Sequence, residues 1–187
     1  MKSSVITNKS LIQFFYKDLD QVNKKSLCPL PQEFILYSSA VLSDYALSER
    51  FFNTEKGKVN EKILGVNFLE ACHKPPRERL GIYKDVGDTI LVQLGLFSER
   101  VIKKGPGQSY YLNLGRSAYT GMERLNASFY DIPNFYNLFS SSLEHMIKLL
   151  TTMREYHRFD SFDQYLLLST ENENSHLFIN TNQIKAN

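Results

Sequence analysis

Apolar residues returning at intervals of three and four run through most of this chain, and that beat admits few folds. From Ser10 to Lys25, the residues Leu11, Phe14, Phe15, Leu19 and Val22 fall on one stripe of a helix. Ser10 is placed to cap it. Cys28-Pro29-Leu30-Pro31 ends it, and Pro31 suits the first position of the next helix. That second helix runs to about Phe52, with Phe34, Tyr37, Val41 and Tyr45 on one face and Ile35, Leu42 and Ala46 beside them. Two adjacent apolar rows mean a helix packed on more than one side.

Asn53 to Asn60, with Gly57 and its charges, reads as a solvated loop. A shorter helix is expected from about Glu61 to Cys72, carrying Ile63, Leu64, Phe68 and Leu69, and Pro75-Pro76 stops it and starts another. From Arg77 to Phe97 the positions Leu80, Tyr83, Ile90, Leu91 and Leu94 keep the helical period. Thr89 to Leu94 has strand propensity, but no alternating partner segment exists, so helix is the consistent reading. Lys103-Lys104-Gly105-Pro106-Gly107 breaks the chain. Tyr111, Leu114, Ala118, Met122 and Leu125 then mark a helix to about Asn126, and Asp131-Ile132-Pro133 supplies a cap and an early helical proline. Phe135, Leu138, Phe139, Leu143, Met146, Leu150 and Met153 form the strongest amphipathic stripe. Asp160 is expected to cap a last helix through Phe162, Tyr165 and Leu166.

The expected fold is therefore all-α: a single-domain helical bundle over 1–169 with about six or seven helices. The polar, Asn-rich stretch 170–187 suits a mobile tail, with His176 to Ile179 able to pin it to the body or a partner.

Composition narrows the function classes. The 187 residues carry 22 Lys plus Arg against 20 Asp plus Glu, a formal +2, too balanced for a typical nucleic-acid binder. The basic pairs Lys24-Lys25, Lys56-Gly57-Lys58 and Lys103-Lys104 are scattered over element ends. The N-terminal residues show no signal-peptide apolar run, and no stretch approaches the roughly 20 apolar residues of a membrane span. A cytoplasmic protein without membrane insertion is expected. Cys28 and Cys72 are too few for a disulfide scaffold and read as buried free thiols. His73, His145, His157 and His176 form no metal-ligand spacing, and no nucleophile sits in an elbow or beside a base, so neither metal, cofactor nor catalytic residue is assigned. Glu144 and His145 fall at the edge of an apolar stripe, where a solvated or hydrogen-bonded pair is ordinary.

Four glycines resist so plain an account. Gly87, Gly95, Gly115 and Gly121 all fall inside expected helices, where each costs about 1 kcal/mol relative to Ala. Close helix crossing is the physical reason. Asp88 and Arg116 each follow one of these glycines, and a buried Asp88–Arg116 ion pair across two helices is expected. The competing reading is a ligand pocket for a small anion, formed by Arg116, Asp88, Tyr110, Tyr111 and Tyr119.

The pattern Gly87-Asp88, an apolar run to Gly95-Leu96-Phe97, Tyr110-Tyr111, then Leu114-Gly115-Arg116-Ser117-Ala118-Tyr119 resembles an uncharacterised family of helical bacterial proteins. The likeness covers Arg77 to Tyr119, more loosely the Phe135 to Met153 helix, and departs at Thr89, where those relatives read an aromatic residue. It implies an all-helical bacterial cytosolic domain and transfers no catalytic residue.

Two functions follow as expectations. The first is a non-enzymatic regulator or adaptor working through protein contacts, as a homodimer or with a bacterial partner, since Tyr and Phe are abundant and favoured at interface cores. The second is a small anionic-ligand-binding or enzymatic helical domain centred on Arg116.

Overall fold

The computed structural model describes residues 4–6, 8–46, 52–55, 58–61, 63–99, 106–157 and 177–179, with side-chain surroundings for 11–46, 63–99 and 106–155. Six helices make up the body among these residues: α1 (Asn8–Lys25), α2 (Gln32–Tyr45), α3 (Leu64–Ala71), α4 (Pro76–Leu96), α5 (Gln108–Arg124) and α6 (Phe135–His157). The all-α expectation holds.

Two short antiparallel pairings accompany the helices. Strands β2 (Phe52–Glu55) and β3 (Lys58–Glu61) form a hairpin where a loop was expected. Strand β1 (Ser4–Ile6) pairs with β4 (Leu177–Ile179), so part of the expected tail is placed beside the N-terminus. The helix expected after Asp160, and the rest of 170–187, lie outside the described residues.

Several boundaries shift. Helix α1 begins at Asn8, ahead of the expected Ser10 cap, and α2 ends at Tyr45. Pro31 precedes α2 as its flanking residue, while Pro76 opens α4 as expected. The α1–α2 connection is fixed by buried Asn23, whose side chain donates to the Leu30 carbonyl at 2.9 Å and accepts its N–H at 2.8 Å. Asp131 does not cap α6; it lies at φ 56°, and the helix starts at Phe135. Instead the Glu123 carboxylate, from α5, accepts the Tyr136 N–H at 3.0 Å, satisfying one of the orphan donors of the first turn.

Helix α4 is the hub, packed against α2, α3, α5 and α6. Its middle, Val86 to Val92, is buried on every side, which erases amphipathicity and explains why that stretch read equally as strand. Glycines set the crossings. A Cβ on Gly95 would lie 2.6 Å from Leu150 Cδ1, one on Gly115 2.9 Å from Ile90 Cγ2, and one on Gly121 2.6 Å from Tyr83 Cε2. Close approach is therefore the reason these helices tolerate glycine. The stripe on α6 is buried from Phe135 to Met153, save for exposed Leu138. Phe14 and the outer face of α3 also point outward, so these apolar rows are only partly covered.

Candidate functional site

Asp88 lies at the heart of the α4–α5 crossing, 2% exposed. Its Oδ1 accepts the hydroxyl of Tyr37 from α2 at 2.6 Å and that of Tyr119 from α5 at 2.9 Å. Its Oδ2 is held by the ammonium of Lys84, one turn earlier on α4. The expected Asp88–Arg116 ion pair does not form. The reason is angular: Gly115 faces α4, and the next residue on a helix is turned by about 100° away from it, whereas Tyr119, four residues on, shares its face. The Tyr119 ring lies over Gly87, leaving a Cβ there only 3.0 Å from it, and carries its hydroxyl to Asp88.

Around this carboxylate the Tyr37 ring packs tilted on Phe135 and edge-on to Phe139, with Tyr119 and Tyr136 stacked alongside. Burial, reinforced by the Asp88 charge, raises the Tyr37 and Tyr119 hydroxyls well above their ordinary pKa, and burial with the charges of Asp88 and Glu123 pushes Tyr136 up to about 12. These phenols stay protonated and donate. Both carboxylate oxygens are engaged by protein groups, so the cluster acts as a polar clamp joining three helices.

Arg116 lies elsewhere. It is half-exposed, 3.4 Å from the Glu144 carboxylate on α6, which Lys148 also holds at 3.0 Å. The hydrogen bond from Lys148, with Arg116 adding to it, keeps Glu144 below the usual carboxylate range. Beside it His145 Nε2 meets the Ser26 hydroxyl at 3.3 Å, the hydrogen-bonded edge position expected of that pair.

Arg116 lines an open groove of about 500 Å3 between α5 and the α3–α4 pair, together with Arg79 and Arg124. Arg116, Thr120 and Arg124 recur every fourth residue and so share one face of α5. Across the groove Arg79 gives Nε to the Ala71 carbonyl at 3.2 Å and Nη2 to those of Cys72 and Lys74 at 3.1 and 3.0 Å, tying down the C-terminal end of α3. Arg124 makes no hydrogen bond or ion pair among the described residues. The apolar part of the lining comes from Phe68, Tyr83 and Leu125, with the Phe68 and Tyr83 rings stacked 4.9 Å apart. Burial and the Cys72 thiol raise the Tyr83 hydroxyl, and the charges of Arg79 and Arg124 partly oppose that rise.

Of the five residues expected to share a pocket, the structure joins Asp88 to Tyr119 and puts Arg116 in the separate groove. The Tyr110 hydroxyl rests against Gly65 on α3, and Tyr111 is packed against the core with its ring edge-on to Tyr110 at 5.3 Å. The sequence reading missed Tyr37, Lys84, Arg79 and Arg124. Lys84 was findable from its four-residue spacing to Asp88, and Arg124 from its position two turns beyond Arg116.

The described residues contain no cluster suited to a metal ion and no helix long and apolar enough to cross a membrane. Cys28 and Cys72 are free, as expected, but exposed rather than buried. The side chains of Lys56, Lys58, Lys103 and Lys104 lie outside the described residues. Comparison with known proteins found no matching family model, no matching curated protein and no matching solved structure.

Proposed function

We propose that this chain binds a small anionic ligand in the groove between α5 and the α3–α4 pair. One observation carries the reading: three arginines line a single groove of about 500 Å3 whose lining, among the described residues, includes no carboxylate residue. The volume falls within the range of small-molecule sites. Guanidinium presents a planar fork of donors matched to carboxylate or phosphate oxygens. Among the described residues Arg124 offers that fork unpaired, and Arg116 is held by an exposed contact to Glu144, which an incoming anion can replace.

The test is a thermal-shift and calorimetric titration with inorganic phosphate at low ionic strength. Stabilisation that is lost in Arg116→Ala and Arg124→Ala, with the fold intact by circular dichroism, supports the reading. Unchanged binding in both variants overturns it.

A second reading, a non-enzymatic adaptor of a bacterial cytoplasm acting through protein contacts, draws on the outer face of α3. Leu69 on that face is 67% exposed, Val66 is also exposed, and Ile63, which flanks the helix start, is 66% exposed, so the three form an apolar patch. Sedimentation mass with and without Leu69→Ser tests it. A monomer in both, with no partner retained from native lysate, counts against it.

A further inference from the structure

The groove has two chemistries, and the ligand must answer both. Its cationic side is lined by Arg79 on α4 and by Arg124 and Arg116, two turns apart on α5. Its apolar part is formed by Phe68 and Leu125, both half-buried, so that part of each side chain still faces the cavity. The Phe68 ring is backed by Tyr83, stacked at 27° between planes. Tyr83 in turn lies against bare backbone at Gly121, where no Cβ fits. Phe68 and Tyr83 thus form a stacked aromatic wall seated against α5. A bare inorganic anion would use the arginines and leave this wall and most of the volume idle.

From this juxtaposition we infer that the ligand is a phosphomonoester carrying a planar ring, of mononucleotide size, with its phosphate on Arg124 and Arg116 and its ring against Phe68. The inference rests on the anion-binding reading of the groove and adds the ring. Arg79 contributes charge more than donors, because its Nε and Nη2 are already given to carbonyls of α3 and the turn after it. Arg124 and Arg116 are therefore the phosphate anchors. Ser117, on the same stretch of α5, stands between them as a hydroxyl partner for the ester or a sugar, while the Thr120 hydroxyl is engaged by Ser140 at 3.1 Å.

The experiment is calorimetry on the full chain with four probes: inorganic phosphate, adenosine, adenosine 5′-monophosphate and a short 5′-phosphorylated single-stranded oligonucleotide. The mononucleotide is expected to bind about tenfold tighter than phosphate or adenosine, as a base stacked on an aromatic side chain adds affinity of that order. Phe68→Leu, which keeps an apolar side chain in place, should bring the mononucleotide down to nearly the affinity of phosphate. Arg124→Ala should weaken phosphate and mononucleotide together. Equal affinity for phosphate and mononucleotide overturns the inference while the anion reading survives. No binding of either overturns both. An oligonucleotide bound more tightly than the mononucleotide overturns the free small-molecule assignment.

Discussion

The hydroxyl of Tyr119 and the carboxylate of Asp88 meet 2.9 Å apart where α4 and α5 cross, and Tyr37 reaches the same oxygen from α2. Removing the acceptor strands two buried hydroxyls, each costing about 1–3 kcal/mol when unsatisfied. Asp88→Ala is therefore expected to lower the unfolding free energy by roughly 3 kcal/mol or more, read from urea denaturation. Asp88→Asn, which keeps an acceptor for the phenols, should cost less. A loss under about 1 kcal/mol for the alanine variant contradicts the clamp.

Alkaline stability follows from the same tyrosines. Tyr37 and Tyr119 are raised well above the ordinary 10.0, and Tyr136 to about 12. Above the unfolded value, the unfolded chain gives up these protons while the folded chain keeps them, so unfolding releases protons. Their contribution is full below pH 10.0 and is lost as pH rises towards the folded values. Each retained proton steepens the fall by about 1.4 kcal/mol per pH unit. Tyr136→Phe should make the slope shallower by about one such increment; an unchanged slope contradicts the assignment.

Two glycines in α4 should respond in opposite directions to alanine. Gly81 has nothing within 4 Å of an added Cβ, so Gly81→Ala is expected to stabilise by up to about 1 kcal/mol through helix propensity. At Gly95 the new methyl would meet Leu150 Cβ at 2.7 Å, on atoms that cannot swing aside. Gly95→Ala is expected to destabilise by about 1–3 kcal/mol despite the same propensity gain. Thermal melts of the two variants in parallel decide the matter.

Arg116→Ala is expected to leave the apo protein nearly as stable as before, within about 0.5 kcal/mol, because its partner Glu144 is exposed and such pairs contribute little. Had it formed the buried pair suggested by the glycines, the same change would have threatened folding. A large fall in melting temperature would return Arg116 to a structural role.

The helices were legible because their apolar periods are long, and the α4 start was legible because Pro76 marks it. What escaped the sequence was non-local. The cap on α6 comes from Glu123 of another helix, so no residue near Pro133 announces it. The β2–β3 hairpin pairs polar residues such as Asn53 with Asn60, which leaves no alternation to read. The glycine argument correctly found the close crossings but assigned the wrong neighbour. Adjacency to a glycine places a side chain beside the contact, whereas a spacing of four, as from Gly115 to Tyr119, places it within the contact. The cationic groove was half legible: Arg116 stood out, while Arg79 enters only through the packing of α3 on α4.

Lys84 has a consequence for how this sequence can drift. Its side chain is 46% exposed, so by accessibility it ranks with the freely replaceable surface, yet its ammonium answers the carboxylate buried at position 88. An uncharged residue at 84 would leave that carboxylate with phenols alone, and an apolar residue at 88 would leave the phenols without an acceptor. Positions 37, 84, 88 and 119 are thus coupled, and a substitution map of the chain should show this outward-facing lysine as less tolerant than its neighbours of equal exposure.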